Sequence, residues 1–223
     1  MFMIYHIYSY LILKDRKIIV FTGTIGAGKT TCAKLFEQCL KQKGFSVYRY
    51  NEASLDLEEE LKLFYRDKTR LFLFFQVVIM HLYKERSIHV KSLNFDYIID
   101  DRTHKDVKVF NKFLEDDLER EYVNRKVDEI ETAEPYKVVF VNPSVDITIK
   151  RKKKRNRKGE NAEVQYLRKL YNHYQEEINT IYPTHVVFEN NITLCKHCIK
   201  YDSLKYKKNC DISLYEIFFN QLL

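Results

Sequence analysis

Glycine is scarce in this chain, five residues in 223, and proline is scarcer still at three. That scarcity leaves no stretch rich in Pro, Gly or Ser to serve as a linker, and neither an internal repeat nor a low-complexity segment interrupts the sequence. Cysteine is sparse and odd in number: Cys32, Cys39, Cys195, Cys198 and Cys210 make no regular disulfide framework. Cys195 and Cys198 form a single C-x-x-C with no second pair, a weak zinc signal set against the plainer reading of incidental thiols. No apolar run is long enough to cross a bilayer. Residues 1–13 are apolar, but they lack a signal peptide's basic start and cleavage site and a transit peptide's arginines and serines. The expectation there is an N-terminal arm, residues 1–16, or an extra strand. With 45% hydrophobic and 31% charged residues, the chain is also excluded from the disordered class. What remains is a soluble globular protein in a reducing, cytoplasmic setting, with nucleus and mitochondrion left open.

Three of the five glycines stand together in Gly23-Thr24-Ile25-Gly26-Ala27-Gly28-Lys29-Thr30. Before them, Lys17-Ile18-Ile19-Val20-Phe21-Thr22 reads as a buried parallel strand. After them, Ala33, Leu35, Phe36, Cys39 and Leu40 recur at the spacing of one helix face. Strand, glycine loop and helix are the context in which G-x-x-x-x-G-K-[ST] cradles phosphate. Successive amides then point at one anion, and the helix N-terminus adds its positive end. Gly23, Ile25, Gly26, Ala27, Gly28, Lys29, Thr30 and Thr31 are the expected ATP-binding residues. Lys29 would reach the outer phosphates, and the Thr30 hydroxyl would take a place on Mg²⁺. An ordinary glycine turn is the alternative, and it does not require three glycines at this spacing.

Gly44 closes the first helix, and Phe45–Tyr50 reads as a second strand. It delivers Glu52 to the carboxyl edge of the sheet, where open α/β sheets hold ligands. Glu52 is therefore a candidate general base, with a solvated loop acid as the rival reading. Helical patterns follow over 55–68 and from Thr69 through Ser87 or beyond, with Gln76 inside a run of Leu, Phe, Val and Ile. A buried amide offers a donor beside an acceptor, which suits a nucleobase edge; a glutamine bonded to neighbouring backbone is the alternative. Phe95–Asp100 is the next core strand, ending in Asp101-Arg102-Thr103, an acid and a clamp aimed at the glycine loop, with Asp106 close behind. Residues 107–130 read as flanking helices, and Tyr136–Val141 as strand four. The basic run 149–158 is a solvated helix face, a nucleic-acid or nuclear-import patch, or a lid over triphosphate. Its place after strand four favours the lid, with Arg151, Arg155 and Arg157 balancing phosphate charge. A helix over 164–181, stopped by Pro183, and a strand over 185–188 complete the pattern.

In order, these pieces resemble the deoxynucleoside kinase family over roughly residues 17 to 190. The loop Gly-Thr-Ile-Gly-Ala-Gly-Lys-Thr-Thr is similar to that family's Gly-Asn-Ile-Gly-Ser-Gly-Lys-Thr-Thr. Glu52 falls where the family has its catalytic base. Tyr65, Arg70 and Phe75-Gln76 resemble the stretch that holds the deoxyribose and pairs with the base. Asp101-Arg102-Thr103 resembles its acid-Arg-Ser motif, Arg151-x-x-x-Arg155-x-Arg157 its lid, and Glu160 a lid acid that contacts the sugar. Departures are visible. No Pro-Val follows Glu52, Leu71 replaces a common tryptophan, Tyr83 stands where some relatives have arginine, and the step from Arg102 to Asp106 is one residue short. Glu85-Arg86-Ser87 matches the acid-Arg-Ser letters better than Asp101-Arg102-Thr103. It lies only nine positions after Gln76, with no strand before it, so context assigns the role to Asp101-Arg102.

The resemblance implies a three-layer α/β P-loop kinase fold with a five-stranded parallel sheet in the order 2-3-1-4-5 and an arginine-rich lid. It forms one domain over 1–223, with residues 150–161 as the lid and 191–223 as a C-terminal extension. It implies transfer of the ATP γ-phosphate to the 5′-hydroxyl of a deoxynucleoside in nucleotide salvage. The catalytic set is Glu52, Arg102, Asp101, Lys29, Arg151 and Arg155; the substrate set is Glu52, Tyr65, Gln76, Arg102, Asp106 and Glu160; Mg²⁺ falls to Thr30 and Asp101. A homodimer is implied by the resemblance alone. The rivals are a nucleoside monophosphate kinase of the thymidylate kinase type and, from the net charge of +7 and the basic run, a nucleic-acid-binding protein.

Overall fold

Alternation within the strands divides the core in two. In a computed structural model that describes residues 17–50, 57–132, 134–155, 163–191 and 213–223, Ile19 and Phe21 of β1 (Lys17–Thr22) enter one apolar cluster and Ile18 and Val20 the other. Period-two exposure to two buried faces is what a central parallel strand requires. The glycine loop leads into α1 (Lys29–Gln42), whose Ala33, Leu35, Phe36 and Leu40 pack on the first face. β2 (Val47–Arg49) follows as a short edge strand. The helical region after it breaks at Asp67, giving α2 (Glu58–Arg66) and α3 (Lys68–Ser92), because the Asp67 side chain accepts from the Arg70 amide and caps a new helix. β3 (Tyr97–Asp101) is buried throughout. Next come the single turn α4 (Val107–Phe110), α5 (Asp117–Asp128) with Asp116 as its cap, and β4 (Lys137–Val141). α6 (Val145–Arg155), α7 (Val164–Ile181), β5 (Val186–Phe188) and α8 (Ser213–Leu222) complete the described elements.

The sheet is parallel throughout in the order β2-β3-β1-β4-β5, as the resemblance implied. β1 pairs with β3 from Lys17 opposite Tyr97 to Phe21 opposite Asp101, and on its other side with β4. The chain therefore departs in opposite directions from either flank of β1, and a crevice opens at its carboxyl end. Most elements match the sequence pattern, α7 to the residue. The differences are at ends: β2 is three residues instead of six, although the Tyr50 amide still donates to the Ile99 carbonyl at 2.9 Å.

The helix in the C-terminal extension had no counterpart in the sequence reading. α8 lies on the β5 side of the first cluster, with Phe218 stacked on Phe188 at 4.3 Å and Phe219 against Phe36 at 5.0 Å between ring centroids. Phe219 is fully buried. Replacing Phe219 by Ala is expected to lower unfolding free energy by about 3–5 kcal/mol in urea titration, with the slope unchanged; a loss under about 1 kcal/mol would show that α8 is not part of the core.

Candidate active site

The glycine loop sits in the crevice at the end of β1, and its backbone is held from outside. Gly23 has φ 138°, and a Cβ there would lie 2.5 Å from the Val141 carbonyl oxygen, so β4 leaves no room for a side chain. Gly28 caps α1 in the left-handed region at φ 98°. Three loop carbonyls accept from side chains: Gly23 from Arg102 Nη2 at 3.2 Å, Thr24 from Lys29 Nζ at 3.0 Å, and Ala27 from Arg151 Nη1 at 2.8 Å. In a planar trans peptide, a carbonyl drawn one way turns the following N–H the other way. Lys29 is buried, with its ammonium resting on the loop it would leave to meet a phosphate.

Asp101, the last residue of β3, is fully buried, and its Oδ2 accepts from Thr30 Oγ1 at 2.5 Å. A carboxylate and a hydroxyl beside a phosphate cradle are the hard oxygen donors that Mg²⁺ takes, with phosphate and water supplying the rest. The donor set fits the metal. Arg102 is the one described non-glycine residue with positive φ, 68°, and its guanidinium lies 5.1 Å from the centre of the Phe110 ring. That conformation turns the Arg102 side chain back over Gly23, and the strain is held by the Arg102 amide donating to the Phe21 carbonyl at 3.0 Å.

The other expected residues are spread over described and undescribed parts of the chain. Glu52, Arg157 and Glu160 lie outside the described residues. Arg155 ends α6 exposed. Tyr65 is half-buried against Phe64, whereas the Arg70 side chain is 86% exposed and faces Asp67. Gln76 is buried on the inward stripe of α3 that also carries Phe72, Met80 and Tyr83. The letter-perfect Glu85-Arg86-Ser87 lies inside α3, where Arg86 forms a buried ion pair with Asp100 and stacks 4.5 Å over the Tyr50 ring.

Asp106 is 1% exposed and hydrogen-bonded within the fold. Its carboxylate accepts from Tyr174 at 2.7 Å, from Tyr182 at 2.9 Å, from the Thr103 amide at 3.1 Å and from the Thr22 hydroxyl. Thr103 and Asp106 form a capping box around the single turn His104–Asp106, which draws the acid into the fold. Burial first, and then the charge of Asp106, push the Tyr174 and Tyr182 hydroxyls well above the ordinary tyrosine range, so both stay donors. Burial likewise pushes the Cys32 thiol behind the loop up to about 12, which leaves it inert.

A family model described as deoxynucleoside kinase matches residues 19–209. The chain belongs to the deoxynucleoside kinase family. It is an ATP-dependent nucleoside kinase, and the match does not favour the thymidylate kinase alternative. Deoxyadenosine kinase from M. mycoides with bound dATP is similar in structure, with a TM-score of 0.70 at 20% identity over 92% of this chain and 98% of that one. The same enzyme with products dCMP and dCDP gives 0.68 at the same identity and coverage. At that identity the likeness concerns the fold. No curated protein matches this kinase by sequence. Thr22, Tyr174 and Tyr182, which hold Asp106, and Asn190 and Tyr215 beside the loop were not expected here from the sequence. Only Asn190 carried a signal, its position just after β5 at the carboxyl edge of the sheet.

Replacing Asp106 by Asn, which leaves hydroxyls without a charged acceptor, is expected to cost about 1–3 kcal/mol of stability while the deoxynucleoside KM stays within about twofold. A KM rise beyond about tenfold at unchanged stability would return Asp106 to the substrate site. His104, just before it, is 4% exposed, and burial together with Lys105 depresses its imidazole to about 4 against the opposing Asp106 and Asp128. Between about pH 6.5 and about pH 4 the unfolded chain therefore binds a proton that the folded one refuses, and stability falls as pH falls through that window. Urea unfolding of His104→Asn across that range is expected to show a shallower decline than the parent.

Proposed function

We propose that this kinase moves the γ-phosphate of ATP to the 5′-hydroxyl of a deoxynucleoside with Mg²⁺. The observation that carries the reading is the convergence of Thr30, Asp101 and Arg102 on the glycine loop at the switch point of the sheet. Glu52 takes the hydroxyl proton as the 5′-oxygen bonds to phosphorus and the β–γ bridging bond breaks, releasing ADP. The reading is supported by its sequence place two residues after Tyr50, whose amide donates to the Ile99 carbonyl, two residues before Asp101. Arg102 orients the hydroxyl. Lys29 and the α6–lid arginines, Arg151, Arg155 and Arg157, balance phosphate charge. Thr30 and Asp101 would hold the Mg²⁺, which would supply charge neutralisation at the phosphates.

Gln76 reads the base from the inward face of α3, while Tyr65 and Glu160 hold the sugar. Asp106 drops from the substrate set because its oxygens are taken up within the fold. The M. mycoides relative carries dATP in one structure and dCMP in another, so both a purine and a pyrimidine belong in the first assays. We further propose a homodimer, supported by Phe74, Val77 and Ile88, 56%, 42% and 57% exposed along one face of α3. No described helix is long and apolar enough to cross a membrane. We place the enzyme in the cytoplasm, by family habit and cysteine usage.

The four deoxynucleosides and their monophosphates, each with ATP and Mg²⁺, are expected to separate into accepted nucleosides and refused monophosphates. Glu52→Gln is expected to lower kcat by about 10²-fold or more with ATP binding retained. Gln76→Ala is expected to raise the deoxynucleoside KM by about tenfold, the ATP KM holding. Near-parental turnover by Glu52→Gln would remove it as the base.

A further inference from the structure

The Ala27 carbonyl is held by more than Arg151. Asn190, 1% exposed at the end of β5, also donates to it through Nδ2 at 3.1 Å. A carbonyl only accepts, so Nδ2 must face the loop, and Asn190 Oδ1 is left to accept. It accepts from the Tyr215 hydroxyl at 2.8 Å, with Arg151 Nη2 at 3.5 Å on the same oxygen. Tyr215, 1% exposed, stands on α8, and its ring is set edge-on to Phe188 at 5.2 Å. The same amide lies where a Gly28 Cβ would be, 2.7 Å from that point, so Asn190 occupies the space that the glycine leaves open.

From this chain of bonds we infer that Tyr215 and Asn190 are positioning residues for the phosphate loop: the C-terminal helix aims the Gly28 amide at ATP by holding the Ala27 carbonyl away from it. Across the Ala27–Gly28 peptide the carbonyl and the N–H point in opposite directions. Drawing the oxygen toward Asn190 and Arg151 leaves the Gly28 amide facing the opposite way, toward the inside of the loop. Tyr215 fixes the Asn190 amide in the orientation that donates. Neither side chain needs to touch nucleotide, and the effect falls on ATP and not on the deoxynucleoside.

The inference rests on the loop being the ATP site, so the test reads ATP binding apart from turnover. Tyr215→Phe keeps the ring and removes only the hydroxyl. Asn190→Asp keeps the shape and sets an acceptor against the Ala27 carbonyl. Full-length protein of each is compared with the parent by calorimetric ATP titration and by separate KM values for ATP and deoxynucleoside, with thermal melting to confirm folding. Tyr215→Phe is expected to weaken ATP binding and raise the ATP KM by about threefold to tenfold, with the deoxynucleoside KM within about twofold. Asn190→Asp is expected to do so by more than about tenfold. Folded variants with unchanged ATP affinity, or with both KM values rising together, would overturn the inference. A parent protein that bound no ATP would overturn the loop assignment itself.

Discussion

The structure depends on the direction in which a few loop carbonyls point. A phosphate cradle is made of amides, and amides turn inward only when the carbonyls before them are drawn outward and satisfied there. Here two such carbonyls are met by side chains from three parts of the fold: Gly23 by Arg102 after β3, and Ala27 by both Arg151 from α6 and Asn190 after β5. The sheet order explains why these can meet. With β3 and β4 on opposite flanks of β1, residues following both strands arrive at one edge, around the loop that follows β1.

The acids near that edge divide by the face of the sheet they occupy. Asp101 shares its register with Phe21 and reaches Thr30 at the start of α1. Asp100, one residue earlier, emerges on the opposite face and pairs with Arg86 inside α3. Period-two alternation thus separates an acid suited to a metal from one that ties a helix to the sheet. Asp106 is a third case. Surrounded by Thr22, Thr103, Tyr174 and Tyr182, it joins the ends of β1 and β3 to α7, and the site inherits its rigidity from that node.

Much of this was legible in the chain. The loop, β1 and α7 follow from glycine spacing and from apolar periods that lie within one short window of sequence. That Asp101 ends a core strand while Glu85-Arg86 does not was legible too, because strand context is local. The resemblance supplied the strand order, which no periodicity contains. What was not legible is how side chains are shared across the fold. Asp106 matched a substrate residue in letter and approximate spacing; that its carboxylate meets Thr22, Thr103, Tyr174 and Tyr182 could not be read from spacing, which does not say where a turn points.

The amino-acid sequence by itself determined most of the elements up to β5 and the kind of chemistry at the loop, since helix and strand periods and glycine-dependent turns are set by neighbours a few residues away. Tertiary structure alone decided which polar groups hold that loop and which are used up in the fold. Thr22 meets Asp106 across 84 positions, and Asn190 meets Ala27 across 163. The physical reason is that a buried acceptor is satisfied by whichever donor packing brings to it, and packing is a property of the whole sheet and its layers rather than of any stretch of chain.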